Sequence, residues 1–214
     1  MTDLVVGLGE IGRPLYDLLK LRNFRTVGYD PNIPEFEGTP LEEKYDMIHI
    51  CVPYLNETQF DDIVKPYTKL TNIVVIHSTV APGTSKRLGC VYSPVRGVHH
   101  DMLNCLQWFS KFYSGPESIE FQKRFPNCVC VPDSTKLERT KVVDTTLYGV
   151  YMAVQRYIDD HHPIYWQFEH ELHQRYGNRP ILYNDRKPIG GHCVVPNLDL
   201  LSDDFLRNLI KPYT

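Results

Sequence analysis

The chain has 214 residues, enough for one large domain or for a full domain with a smaller one beside it. Apolar residues make up 42% and charged residues 23%, and the formal charge of −3 argues against nucleic acid as a partner. No apolar run is long enough to cross a bilayer, and the N-terminus lacks the charged-then-apolar pattern of a signal peptide. The six cysteines, at 51, 90, 105, 128, 130 and 193, lack the compact spacing of a secreted disulfide framework and read as reduced thiols of a cytoplasmic protein. The nine histidines form no zinc pattern, and no metal is expected; His170 and His173, beside Glu169 on a helix face, read as a solvated edge.

The first element is a short apolar strand, Asp3-Leu4-Val5-Val6, which runs into Gly7-Leu8-Gly9-Glu10-Ile11-Gly12 and then the helical segment Arg13 to Leu19. A glycine hexapeptide between a strand and a helix is a dinucleotide fingerprint. Gly7 permits the tight turn, Gly9 lets the backbone approach a pyrophosphate, and Gly12 lets the helix pack close to the strand. The free amides and positive dipole end of the helix, around Leu8, Glu10 and Ile11, then face the phosphates. Arg25 to Asp30 reads as a second strand ending in an acid. An acid about 20 residues beyond the fingerprint accepts hydrogen bonds from ribose hydroxyls and repels a 2′-phosphate, so Asp30 favours NAD over NADP.

Tyr45 to Val52 is a buried parallel strand that ends at Pro53. Phe60, Ile63, Val64, Tyr67 and Leu70 mark one face of a helix, and Ile73-Val74-Val75-Ile76 is another buried strand. Short strands at Cys90-Val91-Tyr92 and Lys111-Phe112-Tyr113, a helix over 117–125 and a last strand at Cys128-Val129-Cys130-Val131 complete the alternation. This pattern predicts a Rossmann-type, doubly wound, mostly parallel α/β sheet over residues 1–132. Ligands of such sheets lie beyond the carboxyl ends of the strands, which places Cys51, Val52, Pro53, Ser78 and Thr79 at the cofactor cleft.

Beyond Asp133 the pattern becomes helical, and residues 133–214 read as a small helical domain. One long connecting helix from Ser134 to about Asp160 carries Val143, Leu147, Val150, Val154 and Ile158 on one face, and a second helix covers Tyr165 to Tyr176. Near the C-terminus, Gly190-Gly191-His192-Cys193 places two glycines before a thiol. Such a loop either stabilises a thiolate or developing oxyanion, or holds a buried structural cysteine.

These pieces, in this order, resemble the UDP-glucose/GDP-mannose dehydrogenase family, and in particular its UDP-N-acetylmannosamine dehydrogenase branch. The resemblance rests on Gly7 to Pro14, Cys51-Val52-Pro53, Ser78-Thr79-Val80-Ala81-Pro82-Gly83-Thr84, Ser93-Pro94, the helix with Glu138 and Lys141, and Gly190 to Cys193. It implies a four-electron oxidation of a nucleotide-sugar alcohol to an acid with two NAD. In that scheme Cys193 attacks the intermediate aldehyde, hydride loss leaves a thioester, and water releases the acid. Lys141 stabilises oxyanions, and Thr79 lies near the nicotinamide and the attacking water.

The chain departs from the family pattern at Thr145, where asparagine is usual, at Asn197, where aspartate is usual, and at Val95, where glutamate is usual. Arg96-Gly97-Val98-His99-His100 replaces an acidic stretch; His99 or His100 supplies proton transfer there or forms an ordinary polar loop. The family's second α/β domain, which closes over the nucleotide, has no counterpart in these 214 residues, so the resemblance implies a truncated form. It also implies a homodimer through the helical domain. Three readings stay open: a dehydrogenase of CH–OH groups using Lys141 and Cys193, a degenerate relative that binds NAD or a partner without turnover, and a two-electron β-hydroxyacid-type dehydrogenase using Lys141.

Overall fold

The computed structural model describes residues 2–36, 44–115, 119–162, 164–165, 195–200 and 204–211. They form two compact units, Met1–Lys141 and Val142–Thr214. The first unit holds a five-stranded parallel sheet in the order β2-β1-β3-β4-β5. Its strands are β1 (Asp3–Val6), β2 (Thr26–Tyr29), β3 (Met47–Ile50), β4 (Val74–Ile76) and β5 (Val91–Tyr92). The β-branched and apolar runs of β1, β3 and β4 are buried along their whole length, as strands covered on both faces must be.

Helices cover both faces. α1 (Gly12–Leu21) buries Leu15, Leu18 and Leu19 with Val5, Met47 and Val75 on one side, together with Met102 and Leu106 of α4 (Met102–Trp108). On the other side Leu4, Ile48 and Ile76 pack with Phe60 and Val64 of α2 (Glu57–Val64). The helix expected through Leu70 stops short of Pro66, whose ring forbids the next helical hydrogen bond; a 3-10 turn at Tyr67–Lys69 follows. Tyr67 still reaches the core, whereas Ile63 faces solvent.

The strand order reverses between β1 and β3, and the crevice of such a fold lies at that reversal. The helix α3 (Thr84–Leu88) joins β4 to β5, and beyond β5 the expected single sheet divides. β6 (Lys111–Tyr113) and β7 (Cys128–Cys130) pair with each other in parallel around α5 (Ile119–Arg124). One antiparallel bridge, Tyr92 to Ser114, ties that pair to β5.

The long helix is α6 (Ser134–His161), as the sequence pattern requires. Its inward face differs from the expected stripe. In the second unit Val142, Thr146, Gly149 and Ala153 are buried, while Leu147 and Val154 are exposed. Rotation of the buried stripe by one residue turns small side chains inward and leaves the larger apolar ones out. α7 (Val195–Leu198) and α8 (Asp204–Ile210) follow, and Ile210 packs with Ala153. Cys193 with its glycines, the helix expected over 165–176 beyond Tyr165, and Glu169, His170 and His173 lie outside the described residues. Among the described residues no helix is long and apolar enough to cross a membrane, no cluster could hold a metal ion, and the five cysteines are free.

Candidate functional site

The turn after β1 is built by three glycines with three different tasks. Gly7 adopts φ 84°, a left-handed conformation that favours glycine, and its N–H donates to Tyr29 O at 2.9 Å. A Cβ on Gly12 would meet Gly7 O at 1.7 Å, so the helix lies hard against the strand end. A Cβ on Gly9 would meet nothing within 4 Å, which leaves open space over that backbone. Ile11, at the N-cap of α1, offers no side-chain cap hydrogen bond; Arg13 N–H is taken by Gly9 O at 3.1 Å and Pro14 carries none, so the Gly12 amide is the one left at the start of the helix for an incoming anion.

Asp30 follows β2 directly. Its Oδ2 accepts from Leu8 N–H at 2.8 Å and its Oδ1 accepts from Asn32 N–H at 3.0 Å. One bond links the carboxylate to the fingerprint turn and the other locks its own loop. A carboxylate has about four acceptor sites, so capacity remains for hydroxyls.

Across the crevice, Cys51 and Val52 form the other wall: the position of a Gly7 Cβ lies 3.0 Å from the Cys51 carbonyl and 3.1 Å from a Val52 methyl. Burial pushes the Cys51 thiol up to about 12, which keeps it protonated and unreactive at neutral pH. Pro53 ends this segment. Ser78 donates to Val52 O at 2.6 Å and so clips the end of β4 to the end of β3, with half-buried Thr79 next in line.

Glu138 of α6 is fully buried, and its carboxylate accepts from the backbone N–H groups of Gly83 and Ser85. It thereby caps α3 and fixes the Ser78–Thr84 segment. Lys141, one turn further along α6, is half-buried and engaged with other groups. In the second unit Thr145 is buried and donates its hydroxyl to Val142 O at 3.0 Å, a bond back into its own helix. Asn197 is buried in α7.

Two features escaped the sequence pattern. His99 Nδ1 stands 2.7 Å from Glu10 Oε2, so the loop after β5 reaches the fingerprint turn. Beneath the strand ends lies a buried polar chain. His49 Nδ1 is 2.9 Å from His77 Nε2, and Lys111 Nζ is 3.2 Å from His77 Nδ1. Lys111 also donates to Ser93 O and Pro94 O, each at 2.9 Å. Arg124 grips Asp3 with two bonds of 2.6 Å. Burial lowers both imidazoles and brings the Lys111 ammonium down to about 7. A histidine inside an apolar run was the one available signal, since His49 and His77 stand where apolar side chains belong.

The fold and its glycine turn define a Rossmann-type α/β protein. The chain is similar to UDP-N-acetyl-D-mannosamine dehydrogenase of Methanocaldococcus jannaschii, 28% identical over an alignment of 124 residues that takes in 38% of this chain and 29% of that protein. The matched stretch is thus under a third of the relative's length. In fold it is similar to the UDP-D-ManNAc dehydrogenase structure from Pyrococcus horikoshii, with a TM-score of 0.78 and 16% identity, covering 100% of this chain and 69% of that one. It is also similar to a 3-hydroxyisobutyrate dehydrogenase of Mycobacterium tuberculosis, with a TM-score of 0.67 and 13% identity over 92% of this chain and 79% of that one. No family model matches the chain. The resemblance to the UDP-N-acetylmannosamine dehydrogenase branch, drawn from the motifs, therefore has counterparts in both sequence and fold.

Proposed function

We propose that the chain is an NAD-dependent oxidoreductase acting on a CH–OH group, of the kind that oxidises nucleotide sugars. The observation that carries this reading is the glycine turn: open space above Gly9, an uncapped α1 N-terminus, and Asp30 held to the turn by the Leu8 amide. Together they fit a pyrophosphate and an adenosine ribose without a 2′-phosphate. A nicotinamide bound there supplies the hydride acceptor. Gly7 to Gly12 and Asp30 bind and orient; Cys51, Val52, Pro53, Ser78 and Thr79 shape the cleft at the strand ends.

Lys141 stabilises negative charge on the reacting oxygen, and Cys193 holds the carbonyl carbon covalently until water releases an acid. Domain limits of 1–132 and 133–214, a cytoplasmic location and a homodimer through the helical domain belong to the same reading. Exposed Leu147, Tyr151 and Val154 on α6 support the last. Substrate-linked NADH formation, screened over UDP-sugars and small hydroxy acids, tests it. Two NADH per acid, with the second oxidation lost in Cys193→Ser, is the expected outcome. An aldehyde or ketone end product with a fully active Cys193→Ser points instead to two-electron chemistry by Lys141.

A specific observation favours a second reading, an NAD-binding relative without turnover. The Thr145 hydroxyl proton is engaged by Val142 O, and Asn197 offers no carboxylate base. Cofactor-dependent stabilisation with no product from any substrate is its signature.

A further inference from the structure

The buried chain Lys111–His77–His49–Asp3 has no part in the chemistry described above. Nδ1 of His77 has two neighbours with opposite demands. Ser93 O, at 2.7 Å, requires a proton on that nitrogen, whereas the Lys111 amine, at 3.2 Å, can offer one to it. The choice propagates. If Nδ1 of His77 carries the proton, its Nε2 accepts from His49 Nδ1–H at 2.9 Å, and Nε2 of His49 is left bare. That atom is buried and has no hydrogen-bond partner; it faces Asp3 Oδ2 at 3.8 Å. If Lys111 donates to Nδ1 instead, His77 Nε2–H donates to His49 Nδ1, and His49 Nε2–H points its proton at the Asp3 carboxylate. The same heavy atoms thus accommodate two proton arrangements.

We propose that Lys111, His77 and His49 form a proton relay through the sheet, in which the proton count of Lys111 and the tautomers of both imidazoles change together. In the forward step Lys111 Nζ gives a proton to Nδ1 of His77. His77 Nε2 gives its proton to Nδ1 of His49, and His49 Nε2 gives its proton to the Asp3 carboxylate, from which it passes to water. Three N–H bonds break, two N–H bonds and one O–H bond form, and both rings stay neutral throughout. The last transfer requires His49 and Asp3 to close to ordinary hydrogen-bond distance, and release to water requires Asp3, 1% exposed and bonded through both oxygens to Arg124, to open to solvent.

The surroundings support this assignment. His49 is fully buried and Lys111 is 5% exposed, and the Phe125 ring lies edge-on to both imidazoles, so bulk water does not short-circuit the chain. Burial holds both imidazoles below their usual range, which keeps them neutral near pH 7, and it lowers Lys111 to about 7, where its proton is readily given up. The ionisable groups that face the relay are Cys51, Arg96 and Lys141 around Lys111, and Asp3 with Arg124 around His49. Arg124 is in turn bonded to Glu120, which is 35% exposed at its side chain. At the other end the relay acts on the strand ends of the crevice. Lys111 holds the Ser93 and Pro94 carbonyls, and His77 directly precedes Ser78.

The test is nitrogen NMR of the full chain labelled with ¹⁵N-histidine, recorded from pH 5 to pH 9. His49 and His77 are assigned by loss of their signals in His49→Gln and His77→Gln. The expected result is two neutral rings that exchange Nε2–H for Nδ1–H as the pH rises, with one shared midpoint, the tautomer ratio changing about tenfold per pH unit as a single proton is lost. In Lys111→Gln the tautomers are expected to stay constant over the whole range. Asp3→Asn gives a second variant, in which the shared midpoint moves. Constant tautomers in the wild-type protein overturn the proposal. So do separate midpoints for the two rings, a doubly protonated ring above pH 5, or an unchanged transition in Lys111→Gln.

Discussion

The carbonyl oxygen of Gly7 sits where a Cβ on Gly12 would be, 1.7 Å away, so the first helix and the first strand meet with no room for a methyl group. Gly9, two residues from Gly7, has nothing within 4 Å of its own Cβ position. Two substitutions of the same size should therefore act differently. Gly12→Ala must push the helix off the strand and is expected to cost about 1–3 kcal/mol, a loss of several degrees in melting temperature. Gly9→Ala is expected to change the stability of the unliganded protein by less than about 0.5 kcal/mol, yet to abolish the rise in melting temperature produced by NAD. Thermal melts with and without NAD separate the two.

Asp30 predicts a cofactor preference. NAD should raise the melting temperature more than NADP does, because a 2′-phosphate would face the carboxylate held by Leu8 and Asn32. In Asp30→Ser that preference should shrink or vanish. Equal stabilisation of the wild-type protein by both cofactors, or by neither, contradicts the assignment.

The buried cations make stability depend on pH in a defined direction. Lys111 titrates near 7 when folded against a usual 10.5, so above pH 7 the unfolded chain binds the extra proton and stability rises with pH. The buried thiols of Cys51 and Cys90 act oppositely. Both move from 9.0 to about 12, so above pH 9 the unfolded chain loses their protons first and stability falls. Below pH 6.5, His49 and His77, whose pKa values burial lowers, take up protons in the unfolded chain first, and stability falls again as the pH drops. Urea melts from pH 5 to pH 10 should thus show a maximum between about 8 and 9. In Lys111→Met the rise between pH 7 and pH 9 should flatten.

The Arg124–Asp3 pair is almost wholly buried and joined by two bonds. Burial raises the pKa of Asp3, but hydrogen bonds and charges from His49 and Arg124 outweigh it and leave the net value lowered. Arg124→Met leaves that carboxylate without its main partner and should cost about 3–5 kcal/mol. Adding Asp3→Asn removes the stranded charge and should recover part of the loss, a coupling that denaturant melts of the single and double variants measure.

Much of the first unit was legible in the sequence because its determinants are local. A glycine turn needs its three glycines in six residues, and the strands β1, β3 and β4 needed only their apolar runs. The long helix could be read from the absence of proline over residues 134–161. Pro66 was also in plain view, and it ends α2 where apolar spacing alone suggested a helix running on to Leu70.

Other features depended on distant partners. Nothing near Lys111 in the chain announces that its amine meets Ser93, Pro94 and His77, which lie 17 to 34 residues away. Glu138 appeared as one letter of a family motif, and the fold makes it the cap of α3, more than 50 residues upstream. The inward face of α6 was read from its larger apolar residues, whereas packing turned Gly149 and Ala153 inward.

By itself, then, the sequence determined the strand–turn–helix start, the acid at the end of β2 and the parallel sheet, since backbone geometry and local burial settle those within a few residues. Only the tertiary structure decided that β6 and β7 stand as their own pair, that His99 reaches Glu10, and that two histidines, a lysine and an aspartate form one buried chain. Those outcomes depend on which segments desolvate one another, and a buried polar group is matched to its partner by distance in space, not by position along the chain.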